Sequence, residues 1–378
     1  RTAREASCRH IGIGSRGSLI FAGAVALATG ADWSPSSSSC DGFRPSAWVA
    51  AAADRSSGEA ARGRPAEGGY SAAWHREVQK GISRAQSVSE VLSYVEGDFD
   101  DVGKILLISS FLRLGQLARR SSASLRGRPA FVKLVSKVEA LVEHGHVEPR
   151  GLSNILLALA YLQTDRTECL PLLRSTARSL VLRIDEANAQ DLANSAWAVA
   201  KLGGRDPSVL QSISRASVTR ASSLCPQEIS NLAWAYATLL HKDKWLFRSL
   251  ASEAISKQEG FTEQGLANVA WAFARCAFRE LQLLRLLGSA AASRTNYFKP
   301  QELANLAWAF AHFGIADSKV LDAMVKRAEV EIPRYEPQEL SALAWAFSSL
   351  AAYAPSFFRR AAAEVARRPS FFTFQELC

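Results

Sequence analysis

Five residues set 37 apart, Lys201, Thr238, Arg275, His312 and Ser349, are all polar, and no side chain occurs twice. Together they offer five different combinations of charge, donor and acceptor. A helical repeat that reads successive bases of single-stranded RNA needs such a position, one varied polar side chain per repeat on a shared surface. The competing reading is plain solvent exposure at a tolerant site. Seven residues before each of the first four stands an asparagine, Asn194, Asn231, Asn268 and Asn305. A side chain identical in every repeat cannot tell bases apart. These amides therefore suit a bond to the next repeat's backbone or to an RNA phosphate, since a buried amide must be satisfied.

Two further columns keep the interval: Gln190, Gln227, Gln264, Gln301, Gln338 and Gln375, and Trp197, Trp234, Trp271, Trp308 and Trp345. A tryptophan stacked on a base contributes roughly 1–3 kcal/mol. Removing one from a core costs roughly 3–5 kcal/mol. The larger effect favours packing, with base stacking as the alternative.

Basic residues recur along the same stretch, among them Arg205, Arg215, Lys244, Arg248, Arg279, Arg285, Lys326, Arg327, Arg359 and Arg360. Lining one groove, they would neutralise phosphates and make binding salt-dependent; on a convex face they would simply be solvated. The net charge is +9, and residues 1–100 carry eleven basic and eleven acidic side chains, so the excess lies wholly beyond them.

Catalytic patterns are missing from the sequence. It has no Gly-rich phosphate loop, no paired acids at glycosidase or zinc spacing and no Ser/His/Asp set. His144 and His146 flank Gly145 with no further ligands nearby, which reads as a solvated turn. The six cysteines, Cys8, Cys40, Cys169, Cys225, Cys276 and Cys378, form no Cys-x-x-Cys pair. The expectation is a binding protein without metal, cofactor or small-molecule substrate, and not an enzyme.

The elements that position these columns are helices. "QDLANSAWAVAKLG", "QEISNLAWAYATLL", "QGLANVAWAFARCA", "QELANLAWAFAHFG" and "QELSALAWAFSSLA" align without gaps. At about 100° per residue, Leu303, Leu306, Ala307 and Phe310 fall on one side, and Gln301, Asn305, Trp308 and His312 on the other. Pro226, Pro300 and Pro337 precede the glutamine, where a missing N–H costs nothing. Glu228, Glu302 and Glu339 lie in the first turn, at the positive end of the helix dipole. A second helix follows in each unit, as over residues 279–294 and 317–332.

The reading is an all-α, right-handed α-solenoid of helical hairpins with a 37-residue period. Residues 149–378 form the array, cut within its last repeat at "FQELC", and residues 76–148 form degenerate N-terminal repeats. The copies from Arg150 and Val102 lack the glutamine and tryptophan.

Residues 1–75 read as a disordered leader or targeting segment. Arg1, Arg4, Arg9 and Arg16 among serines resemble a transit segment, and the apolar run over residues 19–28 has the length of a secretory signal core but is too short to span a bilayer. The first implies a mitochondrion or a simple plastid; the second implies a plastid reached by secretion. A bland disordered leader is the third reading. No membrane span is expected.

The segment PQELANLAWAFA, the period and the lead-in AQSVSEVLSYVEGDFDDVGKILLISSFLRLG resemble the heptatricopeptide repeat proteins of apicomplexans and dinoflagellates. Those are relatives of the octatricopeptide repeat proteins and of the FAST leucine-rich proteins. The resemblance covers residues 85–378. It implies an organellar RNA-binding protein acting on single-stranded mRNA or rRNA in processing, stability or translation, with ribonucleoprotein partners, in the mitochondrial matrix or, as the alternative, the plastid. Members often end in a RAP domain, and none precedes Cys378. Leu157 in place of tryptophan and Ala342 in place of asparagine depart from the pattern. A protein-interaction scaffold, such as a subunit of an organellar ribosome assembly, is the other function class.

Overall fold

The computed structural model describes residues 72–96, 103–119, 125–162, 166–373 and 376, all within one unit, Ser39–Cys378. The expected leader lies outside the described residues except for residues 72–75, which open the first helix; Gln375 and Cys378 also lie outside. Sixteen α-helices and no strand occur among the described residues.

They pair as hairpins: α1 (Ala72–Arg84) with α2 (Val88–Val95), α3 (Lys104–Ala118) with α4 (Pro129–Glu143), and α5 (Pro149–Tyr161) with α6 (Arg166–Leu182). Next come α7 (Ala189–Lys201) with α8 (Pro207–Thr219), α9 (Pro226–Thr238) with α10 (Lys244–Ser256), and α11 (Glu263–Arg275) with α12 (Leu281–Ser293). The last are α13 (Pro300–Phe313) with α14 (Ser318–Glu331), and α15 (Pro337–Ser349) with α16 (Pro355–Arg367).

The odd-numbered, leading helices stack one on the next in one layer, and the trailing helices stack in a second layer behind them. This is an α-solenoid. The leading layer is the tighter of the two, because Ala196, Ala233, Ala270 and Ala307, all fully buried, let neighbouring backbones approach. Val199, Tyr236, Phe273, Phe310 and Phe347 fill the space between the layers and are buried throughout. The two hairpins before residue 149 join the same two layers.

Four leading helices, α7, α9, α13 and α15, start on a carboxylate that folds back. The Glu228, Glu302 and Glu339 carboxylates accept from the backbone N–H of Cys225, Lys299 and Glu336 at 2.7, 2.9 and 3.0 Å, and Asp191 accepts likewise from Asn188 at 3.2 Å. These acids therefore cap the helix as well as complement its dipole. The residue before each N-cap, Leu224, Phe261, Phe298 or Tyr335, is buried, which fixes the angle at which the chain enters.

Each leading helix from α7 on ends on a left-handed residue: Gly203, Leu240, Ala277, Gly314 and Ala351 have φ between 51° and 68° at 37-residue spacing. Two are glycines, which adopt this conformation freely; Leu240, Ala277 and Ala351 hold it at a cost.

The joints of the array are made by a column of cations. Arg183, Arg220, Lys257, Arg294 and Arg368 end trailing helices and donate to a backbone carbonyl in the link that enters their own hairpin. Arg183 reaches Val147 O at 2.7 Å, Arg220 reaches Asp185 O, and Lys257 reaches Leu224 O at 2.7 Å. Arg294 reaches Phe261 O at 2.9 Å, and Arg368 reaches Tyr335 O. A cation at a helix C-terminus also meets the negative end of the dipole. At position 331 the column breaks: Glu331 stands there, and Arg327, one turn earlier, pairs with it at 2.8 Å and reaches Phe298 O at 3.4 Å.

Candidate nucleic-acid interface

On α7, α9, α11 and α13 the glutamine, asparagine, tryptophan and varied residue follow at i, i+4, i+7 and i+11, a stripe along one face that α15 shares with Ala342 in the asparagine's place. At 1.5 Å per residue the stripe is roughly 16 Å long. Because the leading helices stack in register, the stripes form rows across the layer: amides near the helix starts, tryptophans in the middle, varied residues at the ends.

The amide row opens into a cleft of about 400 Å³ across α9, α11 and the start of α13, and Gln227, Asn231, Gln264 and Asn268 line it. None of these four amides hydrogen-bonds any described residue. Asn194 is 7% exposed and Asn305 2% exposed, and Asn305 Oδ1 is buried without an acceptor's partner among the described residues. The bond to the next repeat's backbone that their repetition suggested is not made. What remains is a row of unspent donors and acceptors.

The tryptophan row grades from core to surface. Trp197, Trp234 and Trp271 are 4%, 3% and 1% exposed, Trp308 is half-buried, and Trp345 is 37% exposed. The first three pack, as their size favours. The Tyr161 and Trp197 ring centroids lie 5.7 Å apart, and those of Trp197 and Trp234 6.4 Å apart.

The varied row sits at the helix ends, where its members differ in what they have left to offer. Lys201 Nζ lies 5.7 Å from the Trp197 ring and 5.3 Å from the Trp234 ring, within cation–π range. Thr238 Oγ1 and Arg275 Nε are buried without partners among the described residues. The His312 ring stacks on Trp308 at 5.3 Å. Burial, and then the nearby positive charge of Lys242, hold the His312 imidazole below its ordinary range, so it is neutral near pH 7. Ser349 is exposed.

Beside this row runs a second cationic column in the turns after the leading helices, Arg205, Lys242 and Arg279. Lys242 escaped the charge-based sequence reading, although the 37-residue spacing marks it. Arg215, Arg248, Arg285, Lys326, Arg359 and Arg360 lie instead on trailing helices and are exposed there, away from the stripe. His144 Nδ1 lies 2.6 Å from Ala140 O at the end of α4. No helix among the described residues is long and apolar enough to cross a membrane.

Residues 131–318 match the family model of the RNA-editing substrate-binding complex 6 protein. The match spans just under half of the chain, from α4 to the first residue of α14, and so contains the cleft and four of the five varied positions. It is a likeness to that family. No curated protein matches the chain.

Proposed function

We propose that this chain binds single-stranded RNA along the face of its leading helices and acts in organellar RNA processing, stability or translation, in the mitochondrion rather than a plastid. It acts by binding and not as an enzyme. The observation that carries the reading is the row of hydrogen-bonding side chains with no partner among the described residues, Asn231, Asn268, Thr238 and Arg275 among them, beside a column of cations. Buried polar groups left unsatisfied are costly, and a ligand that supplies their partners recovers that cost.

The family likeness adds a second support, since its description names a complex that binds an RNA-editing substrate. A ribonucleoprotein assembly is accordingly the setting proposed for the chain, and the heptatricopeptide grouping is kept as the finer proposal. Lys201, Thr238, Arg275, His312 and Ser349 set base preference in this reading. The asparagines hold the strand.

The test is an anisotropy titration of the full-length protein with single-stranded organellar RNA at several salt concentrations. Binding should weaken with salt by roughly 0.7 in log affinity per log salt for each phosphate neutralised. Salt-insensitive or absent binding would refute the proposal. The scaffold reading has its own candidate in Trp245, 72% exposed at the start of α10 with Arg248 5.9 Å from its ring. Its substitution should leave RNA affinity unchanged and lower recovery of partner proteins.

A further inference from the structure

The cleft is built on residues that depart from the repeat. Five repeats place an acid three residues after the N-cap, Asp191, Glu228, Glu302, Glu339 and Glu376, whose carboxylate takes the N-cap N–H. Among the repeats from α7 on, α11 alone has glycine there, Gly265, as α5 has Gly151; a Cβ on Gly265 would stand 3.0 Å from Ser230 Oγ and 3.1 Å from the Phe261 ring. The Thr262 hydroxyl still accepts from Gly265 N at 3.1 Å, but no described residue accepts the Thr262 backbone N–H. This repeat thus has an unspent donor where those five have a bound carboxylate.

Two residues that break the columns stand at the same place. Tyr297 lines the cleft and is 75% exposed, where the equivalent positions are Glu186, Ser223, Gly260, Arg334 and, after the last hairpin, the exposed Phe371. Lys299 also lines it, where the others are Thr262, Cys225 and Glu336. Its ammonium makes no ion pair among the described residues. The acids in the wall are engaged, Glu263 with Arg294 at 3.4 Å and Glu302 with the Lys299 N–H. A volume of about 400 Å³ lies at the small end of ligand sites, the scale of one nucleoside and not of a strand.

We infer that this cleft binds one unstacked nucleotide of the RNA, with its base on Tyr297 and against the Asn231 and Asn268 amides, and its phosphate between Lys299 and the Thr262 N–H. The inference rests on the RNA-binding reading and adds a fixed anchor to it. An exposed tyrosine offers a stacking face that any base can use. The amides can meet a base edge with donor and acceptor alike. Helix-start N–H groups with a neighbouring cation suit a phosphate. No other described repeat pairs the two features: α5 has the open N-cap but Glu186 in the tyrosine's place, and Phe371 follows α15, whose N-cap N–H Glu339 accepts.

Ultraviolet crosslinking of the full chain to a degenerate single-stranded RNA, followed by mass spectrometry, should place a nucleotide adduct at Tyr297. In anisotropy titrations with the same RNA, Tyr297→Ala should lose roughly five- to hundred-fold in affinity, the range of one base stack. Tyr297→Phe should keep it, and Lys299→Gln should lower both affinity and salt dependence. RNA bound by Tyr297→Ala and Lys299→Gln as tightly as by the unaltered protein, with adducts elsewhere, overturns the anchor and leaves the general reading standing. An unaltered chain that binds no RNA overturns both.

Discussion

Asn268→Ala and Arg294→Met should differ in their effect on stability. Arg294→Met keeps the aliphatic stem but removes the 2.9 Å bond to Phe261 O and the 3.4 Å pairing with Glu263. A hydrogen bond from a charged donor contributes roughly 1.5–3 kcal/mol. The partly exposed ion pair adds less than about 1 kcal/mol. A loss of about 2–3 kcal/mol is expected at that joint; because the variant also releases the Glu263 carboxylate in the cleft wall, stability and not affinity is the quantity it tests. Asn268→Ala removes an amide with no described partner, so stability should move by less than about 0.5 kcal/mol. RNA affinity should fall roughly two- to ten-fold, the worth of one neutral hydrogen bond. Urea unfolding followed by circular dichroism, compared over the whole curve because repeat arrays can unfold in stages, reads the first quantity; anisotropy reads the second. If Asn268→Ala cost as much stability as Arg294→Met, the amides would be joints after all and the assignment of roles would fail.

Ala277→Gly should stabilise the chain by roughly 0.5–1 kcal/mol in the same urea assay, because φ of 60° is free to glycine, whereas Gly314→Ala should destabilise it by a similar amount. Lys201→Ala and Arg275→Ala should each reduce the salt slope of RNA binding by about 0.7, measured by titration in a salt series. The His312 pKa is lowered on folding, so its contribution to stability is present above the ordinary value near 6.5 and is lost as pH falls through the folded value. His312→Asn should flatten that part of a stability-versus-pH curve. Burial raises the Glu302 carboxyl, so its contribution is full below the unfolded value near 4.3 and is lost as pH rises through the folded one. Glu302→Gln should remove that decline in a thermal-melt pH series, at the cost of the cap to Lys299.

The 37-residue columns made the helices, their order and the buried side of each leading helix legible, because a repeat must bury the same face every time. Trp271 could be placed inside from its size alone. The role of Asn268 could not: identity across repeats looks the same whether an amide serves a neighbour or a ligand, and only the packed structure shows the amide unspent. The joint cations went unseen because they were sought as positive charge and not as a column; Arg183 and Arg294 share the spacing of Gln190 and Gln301. Glu331 hid the pattern further by displacing the contact to Arg327. Tyr297 and Lys299 were illegible for the opposite reason, since each breaks its column. Leu240 and Ala351 concealed the left-handed helix ends, which glycine marks only at Gly203 and Gly314.

The joint cations close each hairpin on its own entry: donor and carbonyl lie 33 to 36 residues apart, just inside one 37-residue period. The tie therefore spans the link into a leading helix and the end of the trailing helix that follows it, and forms as soon as that one hairpin has folded. A hairpin together with its entering link is the smallest piece that keeps the tie whole. Cuts that fall before the link should be milder than cuts that fall between the link and its helix, which would leave a guanidinium without its acceptor.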